Sequence, residues 1–252
     1  MTSRTYVEEG EPVPVAHVGT WAAFIQETAE SEPERLGVCA NEADIPPSFR
    51  RRLGPYGRMA VSCGIGVSDR NSDIVFCSRY GDVNVAYRLL QNLTEHTPLS
   101  PAGFSMSVHN GVPGVMDLVQ KNRVGHTAIA AGAESLSAGI CEAWARMNEA
   151  PQQPVTLLYA DYALPSAFKE FETGEAEGIA FALSLSMAEV SGPVGYLRPA
   201  VGGEAAAAAT APSSETLARS LIAILRADAP KRHIWETQGL RWSFGIGSDA
   251  TD

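Results

Sequence analysis

The eight residues 126–133 read HTAIAAGA, and the fold of this chain is interpreted outward from them. Residues 126–130 form a short apolar run typical of a buried strand, and Gly132 begins a segment with helical periodicity. A strand that turns directly into a helix aims one residue at a cavity and places the positive end of the helix dipole behind it. Such a turn suits a nucleophile, because the dipole lowers the pKa of a thiol held there. The apolar residues of the predicted helix fall close to one face: Leu136, Ile140, Ala143 and Met147.

Segments of strand type and of helix type alternate on either side of this turn. DIVFC at 73–77 and PVTLLYA at 154–160 are apolar runs of buried-strand type, and residues 83–93 between them have helical periodicity. Residues 179–187 and 195–198 predict two more strands. Strands that alternate with helices are typical of right-handed βαβ crossovers, so we predict a layered α/β fold.

Weaker patterns predict a few more elements. Residues 13–18 alternate as an edge strand does, residues 21–24 are expected to begin a short helix, and residues 49–61 are expected to form one helix. Four basic side chains lie on the polar face of that last helix: Arg50, Arg51, Arg52 and Arg58. A further strand is predicted from three alternating apolar residues: Phe104, Met106 and Val108.

The C-terminal region begins with a change in composition. Residues 201–214 are rich in Gly, Ala, Pro and Ser, which is typical of a flexible loop. Ser214 is expected to cap a helix over residues 215–227. Two strands are expected at 233–237 and 240–244.

A tight turn at residues 238–239 would join these two strands, with Trp235 and Trp242 paired across the hairpin. The expected division of the chain has three parts: a main domain over residues 1–200, the loop over 201–214, and a helix and hairpin over 215–252 that pack on the main domain.

Composition excludes several functions. The 252 residues carry 29 acidic and 19 basic side chains, and a net charge of -10 disfavours binding to a phosphate backbone. No apolar run reaches the roughly 18 to 20 residues of a membrane span. Residues 1–14 carry three glutamates and no apolar run, so we expect no signal peptide and a cytoplasmic protein.

No metal or cofactor is expected. The four cysteines and five histidines lack metal-ligand spacing. The glycine-rich phosphate-binding patterns are absent, since Gly64 and Gly66 have no third glycine of a GxGxxG motif, and no GxSxG serine elbow occurs. Asp161 and the carboxylates that follow it are interpreted as a solvated loop rather than a catalytic pair.

Three motifs, in order, resemble the N-terminal half of the β-ketoacyl synthases, which have a thiolase-like fold. They are SPAGF at 100–104, VHN at 108–110 with Gly114, and TAIAAG at 127–132. The strand at 154–160, followed by Asp161 and Pro165, is similar to the next core strand of that family, and the resemblance covers roughly residues 50 to 200. It implies a thiolase-like layered fold limited to the N-terminal half, with the C-terminal helix and hairpin in place of the second half.

The chain departs from that family at the reacting centre. The family run is approximately Thr-Ala-Cys-Ala-Ser-Gly, so Ile129 stands where the nucleophilic cysteine would be, and an isoleucine cannot form a thioester. Only His233 follows His126, so the two catalytic histidines of the synthases have no counterpart. We therefore expect no catalytic residue, and no condensation by this chain alone.

A synthase-like chain without a nucleophile resembles a chain-length factor, the inactive partner of a ketosynthase in type II polyketide and aryl polyene pathways. The resemblance implies a heterodimer with a full-length β-ketoacyl synthase, whose tunnel holds the growing acyl chain. An acyl carrier protein would then be met indirectly, through that partner. Residues expected to line the tunnel are bulky and apolar: Tyr80, Val83, Tyr87, Phe104 and Met106.

Two other interpretations stay open. The chain could be a small cysteine-dependent acyltransferase or hydrolase that uses Cys77 or Cys63, because Cys77 ends a predicted strand before a helix. It could also be a self-associating scaffold that holds no acyl chain.

Overall fold

The computed structural model describes residues 14–246 except 69, 189, 192, 201–210, 228 and 238–239. The helices are α1 (Pro47–Arg50), α2 (Pro55–Val67), α3 (Val83–Thr94), α4 (Pro101–Met106), α5 (Gly111–Gln120), α6 (Ser135–Glu149) and α7 (Ser214–Leu225). Three short 3₁₀ helices span Glu42–Asp44, Gly132–Glu134 and Ser166–Phe171. The strands are β1 (Ala16–Gln26), β2 (Glu34–Gly37), β3 (Asp73–Cys77), β4 (His126–Ile129), β5 (Val155–Tyr162), β6 (Gly178–Ser186), β7 (Gly195–Pro199), β8 (Lys231–Thr237) and β9 (Leu240–Ile246).

The described strands form one mixed sheet in the order β4-β3-β5-β6-β1-β7-β9-β8, with β2 paired to β1. Strands β4, β3 and β5 run parallel, and the other pairings are antiparallel. Parallel strands that are covered by helices on both faces of a sheet carry apolar side chains on both faces. The predicted layered α/β fold is confirmed.

Two hydrophobic clusters cover the two faces of the sheet. Side chains of α6 and α7 pack on one face, and side chains of α2 and α5 pack on the other. Strand β5 contributes to both, because alternate residues point to opposite faces: Val155, Leu157 and Tyr159 join the first cluster, and Leu158 and Ala160 join the second.

Helix α6 lies close to β3, and Gly139 allows this approach. A Cβ atom built on Gly139 would stand 2.7 Å from the Cys77 Sγ. The apolar face predicted for this helix is confirmed, since each of its four residues is buried: Leu136, Ile140, Ala143 and Met147.

The C-terminal hairpin extends the sheet. Strand β9 pairs with β7 and with β8, and Trp235 lies opposite Trp242 as predicted. The predicted turn at 238–239 and most of the predicted loop at 201–214 lie outside the described residues, and the division into three parts stays a prediction.

The strand predicted at residues 13–18 is present from Ala16 as the start of β1, but it lies inside the sheet rather than at an edge. The helix expected to begin at residues 21–24 was wrong, because β1 continues through these residues and residues 22–25 are buried in succession. A strand covered on both faces is continuously apolar, and this pattern resembles the start of a buried helix.

Two predictions around proline residues were also wrong. The single helix expected at 49–61 is divided into α1 and α2, with Pro55 as the first residue of α2. The strand expected at Phe104 and Met106 is helix α4, in which Pro101 occupies the first turn and the Ser100 hydroxyl accepts from the Gly103 amide at 3.1 Å. Proline and a serine cap favour a helix start over strand alternation.

None of the helices in the described residues is long and apolar enough to cross a bilayer.

Candidate functional site

Ile129 is the last residue of β4, at the point where the chain turns towards α6. It lies opposite Cys77 in the parallel pairing with β3, and its carbonyl accepts from the Ser78 amide at 3.1 Å. Its side chain is partly buried and packs against the core of α6 and α7. The strand-to-helix turn predicted from the sequence is therefore present, with an aliphatic side chain at its end.

The N-terminus of α6, which would stabilise an anion at this turn, is covered by the start of α7. The Ser214 hydroxyl accepts from the Leu136 amide at 2.9 Å and donates to the Ala133 carbonyl at 2.9 Å. Thr237 of β8 also donates to the Glu134 carboxylate at 2.6 Å. An N–H already bonded to a hydroxyl is no longer available to an oxyanion.

The predicted helix cap is thereby corrected. Helix α7 begins at Ser214, and the cap is Ser213, whose hydroxyl accepts from the Thr216 amide at 3.2 Å. Ser214 is buried and joins α7 to α6.

A partly buried carboxylate holds the turn between β3 and α3. Asp161 accepts from the Ser78 hydroxyl at 2.9 Å, the Arg79 amide at 2.8 Å and the Tyr159 hydroxyl at 2.9 Å. His109 adds a ring-nitrogen contact of 2.9 Å to the Ser78 carbonyl. Burial raises the pKa of Asp161, although these hydrogen bonds oppose the shift.

The interpretation of Asp161 as a solvated loop carboxylate was wrong. Asp161 lies within β5, two residues after Tyr159, so the two side chains share one face of the strand. The alternation of Tyr159 and Asp161 was the signal in the sequence that could have identified this pair. Its role in the described contacts is to position the turn that carries Tyr80 and α3.

The five residues expected to line a tunnel occupy two neighbouring regions. Tyr80 lies on the β3–α3 turn, where its hydroxyl donates to the Phe171 carbonyl at 2.8 Å and its ring centroid lies 4.6 Å from the Arg79 guanidinium carbon. Val83 and Tyr87 are partly buried on α3, and Tyr87 meets the Phe168 ring at a centroid distance of 5.4 Å.

The other two lie on α4 and differ sharply in exposure. Met106 is 8% exposed and belongs to the core between α2, α5 and the sheet, whereas Phe104 is 64% exposed. The structure therefore does not gather the five side chains around one cavity of this chain.

The clefts near these residues differ in lining, and the one of about 300 Å³ that includes Tyr87 and Tyr56 is mainly apolar. One of about 450 Å³ is lined by Arg51, Arg52 and Arg88, together with polar residues of α3. Another, of about 50 Å³, lies beside Tyr80 and Asp161. Charged walls are a poor environment for an acyl chain.

The two cysteines considered as nucleophiles are fully buried. Burial raises the pKa of both the Cys77 and Cys63 thiols, and the Cys77 thiol donates to the Leu158 carbonyl at 3.4 Å. A thiol held neutral and away from solvent is a weak nucleophile. Among the described residues, no group of three or more His, Cys, Asp or Glu side chains could hold a metal ion.

Exposed apolar side chains concentrate on and around α3, α4 and α5. Of the eleven large hydrophobic residues that are exposed in the described part of the chain, seven lie between residues 90 and 124. They occur on or beside α3, α4 and α5: Leu90, Leu93, Leu99, Phe104, Val108, Leu118 and Val124.

Within the described residues, β4 has a paired neighbour on one side only, which is β3. Asp117 of α5 meets the His126 ring nitrogen at 2.6 Å and fixes the start of this strand. A sheet edge with no second described partner strand and a cluster of exposed apolar side chains are both typical of protein-binding surfaces.

Comparisons with known proteins agree with this geometry. Residues 21–244 match the family described as "Beta-ketoacyl synthase, N-terminal domain". A comparison with curated proteins gave no significant match.

Solved structures share the fold. One is a chain in the structure of the ketosynthase ApeO in complex with its chain length factor ApeC from Xenorhabdus doucetiae. It aligns over 90% of this chain and 98% of that chain, with 22% identity and a TM-score of 0.65. The ishigamide ketosynthase/chain length factor aligns over 75% of this chain and 69% of that chain, with 13% identity and a TM-score of 0.55.

The family match spans most of the chain, and the parallel strands, the turn at Ile129 and α6 all lie within it. The chain therefore belongs to the β-ketoacyl synthase N-terminal domain family and has its thiolase-like fold.

Proposed function

We propose that this chain is a non-catalytic subunit, similar to a chain-length factor, that pairs with a β-ketoacyl synthase. In that pair it shapes the tunnel that receives a growing acyl or polyene chain, in aryl polyene or related fatty acid and polyketide biosynthesis. The titles of the two similar structures describe ketosynthases with chain length factors, which supports this assignment.

The observation that carries the proposal is the turn between β4 and α6. Ile129 supplies no nucleophile, and Ser214 occupies the amide and the carbonyl next to the helix N-terminus. A condensing enzyme needs both a thiolate and free donors for the oxyanion. A subunit that serves as a wall for another active site needs neither.

Two features support pairing with a second protein: the exposed apolar side chains of α3, α4 and α5, and the edge position of β4. Exposed leucines of α3 and Phe104 of α4 would lose contact with water in an interface, which is favourable by about 25 cal/mol for each Å² of apolar area. The backbone groups of β4 that lack a described partner are available for a strand of the other subunit.

The tunnel would be formed between the subunits, since each cleft near the candidate residues includes at most one of the five. Phe104 is the strongest candidate for its wall, because it is the most exposed of the five and is bulky and stiff. Tyr80, Val83 and Tyr87 would contribute from the adjacent turn and helix. Met106 is a core residue, and it would contribute by supporting α4 from the core side.

The acyl carrier protein would meet the assembly mainly through the ketosynthase. Carrier proteins are generally acidic, and a chain with a net charge of -10 repels an acidic partner at long range. The arginines around α1 and the start of α2 are the local exception. We further propose that the assembly works in the cytoplasm.

The proposal is tested by co-expressing this chain with the ketosynthase of its own gene cluster and separating the products by size-exclusion chromatography. Co-elution as a heterodimer is expected, together with a changed product length when this chain is omitted. If the proteins elute separately and the products are the same without this chain, the proposal is wrong.

No observation favours the alternative of a cysteine-dependent acyltransferase or hydrolase. Its candidates, Cys77 and Cys63, are buried thiols of raised pKa. Labelling with iodoacetamide at neutral pH tests it directly: one rapidly labelled cysteine, with activity lost on its replacement by alanine, would support the enzyme.

A further inference from the structure

Two free thiols lie side by side where the segment after β2 crosses α2. The Cys39 Sγ and the Cys63 Sγ are 3.4 Å apart. A disulfide bond is about 2.05 Å long, so the sulfur atoms need to approach by about 1.4 Å.

The backbone next to Cys39 is already held against α2 on one side and β1 on the other. The Ala40 amide donates to the Ser62 carbonyl at 3.2 Å, and the Val38 amide donates to the Trp21 carbonyl at 2.9 Å. A Cβ atom added to Gly66 would stand 2.0 Å from the Val38 carbonyl oxygen, so the segment lies directly against α2. Bond formation therefore requires side-chain rotation and little backbone movement.

We propose that Cys39 and Cys63 are a modification site that a peroxide converts into a reversible disulfide. The Cys39 thiolate attacks one peroxide oxygen, the O–O bond breaks, and hydroxide leaves to give a sulfenic acid. The Cys63 sulfur then attacks the Cys39 sulfur, the S–O bond breaks and water leaves. In sum, two thiols and one hydrogen peroxide give one disulfide and two waters.

The surroundings of the two residues indicate that Cys39 attacks the peroxide and that Cys63 attacks the resulting sulfenic acid. Cys39 is partly exposed and can meet a peroxide, and the hydrogen bond from Cys63 lowers its pKa, with the charge of Arg35 acting in the same direction. Cys63 is fully buried, and burial raises its pKa. When an accessible thiolate lies beside a protected thiol, the sulfenic acid formed first reacts with the neighbouring thiol to give a disulfide.

The bond would close a loop that contains the basic segment of the chain. Arg50, Arg51 and Arg52 lie between the two cysteines, and Arg50 donates to the Glu42 carbonyl at 3.2 Å within the same loop. The cross-link would therefore restrain α1 and the arginines against α2.

The test combines intact-mass spectrometry with peptide mapping of the full chain. Fully reduced protein is treated with one equivalent of hydrogen peroxide under native conditions. One portion is measured intact, and the other is quenched by alkylation and digested without reductant. The expected product is about 2 Da lighter than the reduced chain before alkylation, because two hydrogen atoms leave. It contains one linked peptide pair joining Cys39 to Cys63, and dithiothreitol reverses it.

Three variants make the test specific. Cys39→Ser removes the accessible thiol and is expected to abolish the mass loss, whereas Cys141→Ser removes a partly exposed cysteine elsewhere and is expected to leave it unchanged. In Cys63→Ala, Cys39 is expected to stop at the sulfenic acid, which dimedone traps. Circular dichroism confirms that each variant is folded.

The proposal is overturned if the wild-type chain gains oxygen without forming the linked pair. It is also overturned if Cys39→Ser forms a disulfide at the wild-type rate. Neither result depends on whether the chain pairs with a ketosynthase, so this inference and the proposed function can fail separately.

Discussion

Replacing Phe104 with alanine should weaken the proposed heterodimer far more than it weakens the fold. Phe104 is 64% exposed in this chain, and a phenylalanine offers on the order of 200 Å², so about 130 Å² remains for a partner to cover. At about 25 cal/mol per Å² this area is worth about 3 kcal/mol. If the partner buries the ring completely, the dissociation constant should rise about 200-fold.

The isolated chain should change little. A side chain that already contacts water for most of its surface contributes about 0.5 kcal/mol or less to the free energy of unfolding. Leu240→Ala is the matched control, because Leu240 is 53% exposed at the start of β9, near the opposite edge of the sheet from β4. It should leave the dissociation constant unchanged.

The assay is titration calorimetry of the purified chain against its ketosynthase, with urea unfolding of each variant alone. A dissociation constant within about threefold of wild type for Phe104→Ala would refute the placement of Phe104 in the interface. Product length, measured by mass spectrometry of the released chains, separates its two roles. Weaker pairing with unchanged product length would show an interface residue that does not line the tunnel.

Three further predictions concern the turn after β4 and the Asp161 carboxylate that holds the turn between β3 and α3. Ile129→Cys should restore no measurable condensation of a malonyl-carrier substrate, because Ser214 still occupies the donor at the helix N-terminus; turnover above that of wild type would contradict this. Ser214→Ala should lower the free energy of unfolding in urea by about 1 to 2 kcal/mol, since the buried Leu136 amide loses its acceptor, whereas Ser220→Ala on the exposed side of α7 should cost less than about 0.5 kcal/mol. Asp161 has a raised pKa in the folded chain, so its protonated form is the one that folding favours. Its contribution to stability is therefore complete below pH 3.8 and falls as the pH rises through the folded-state pKa. The Asp161→Asn side chain cannot ionise. The free energy of unfolding of this variant minus that of wild type should therefore increase between pH 4 and pH 8. A difference in urea titrations that stays constant or decreases over this range would refute the sign.

The sequence predicted those parts of the fold that depend on local periodicity. Helix α6 was predicted with its buried face, and β3 and β5 were predicted from their runs of branched and aromatic residues, because burial on one side or on both leaves a clear pattern. At Phe104 the pattern misled, since apolar residues two apart also occur in a short helix, and the cap at Ser100 determined the structure.

The candidate site was predicted only in part. Ile129 was identified through the family resemblance, and the structure places it at the end of β4 as expected. The bond between Ser214 and Leu136 joins residues 78 apart in sequence, and the partners of Asp161 lie up to 83 residues away. No local pattern records such contacts, because they arise only when the helices pack on the sheet.

The two ends of the described sheet differ in their suitability for accepting a further strand. Strand β8 forms one end and exposes Lys231, Arg232 and Glu236, charges that resist the addition of another strand. Strand β4 forms the other end, and its four residues include neither Lys, Arg, Asp nor Glu. If the proposed pairing uses β4, growth by strand addition would be open at one end of the described sheet only. Such an asymmetric sheet favours a closed pair over a filament.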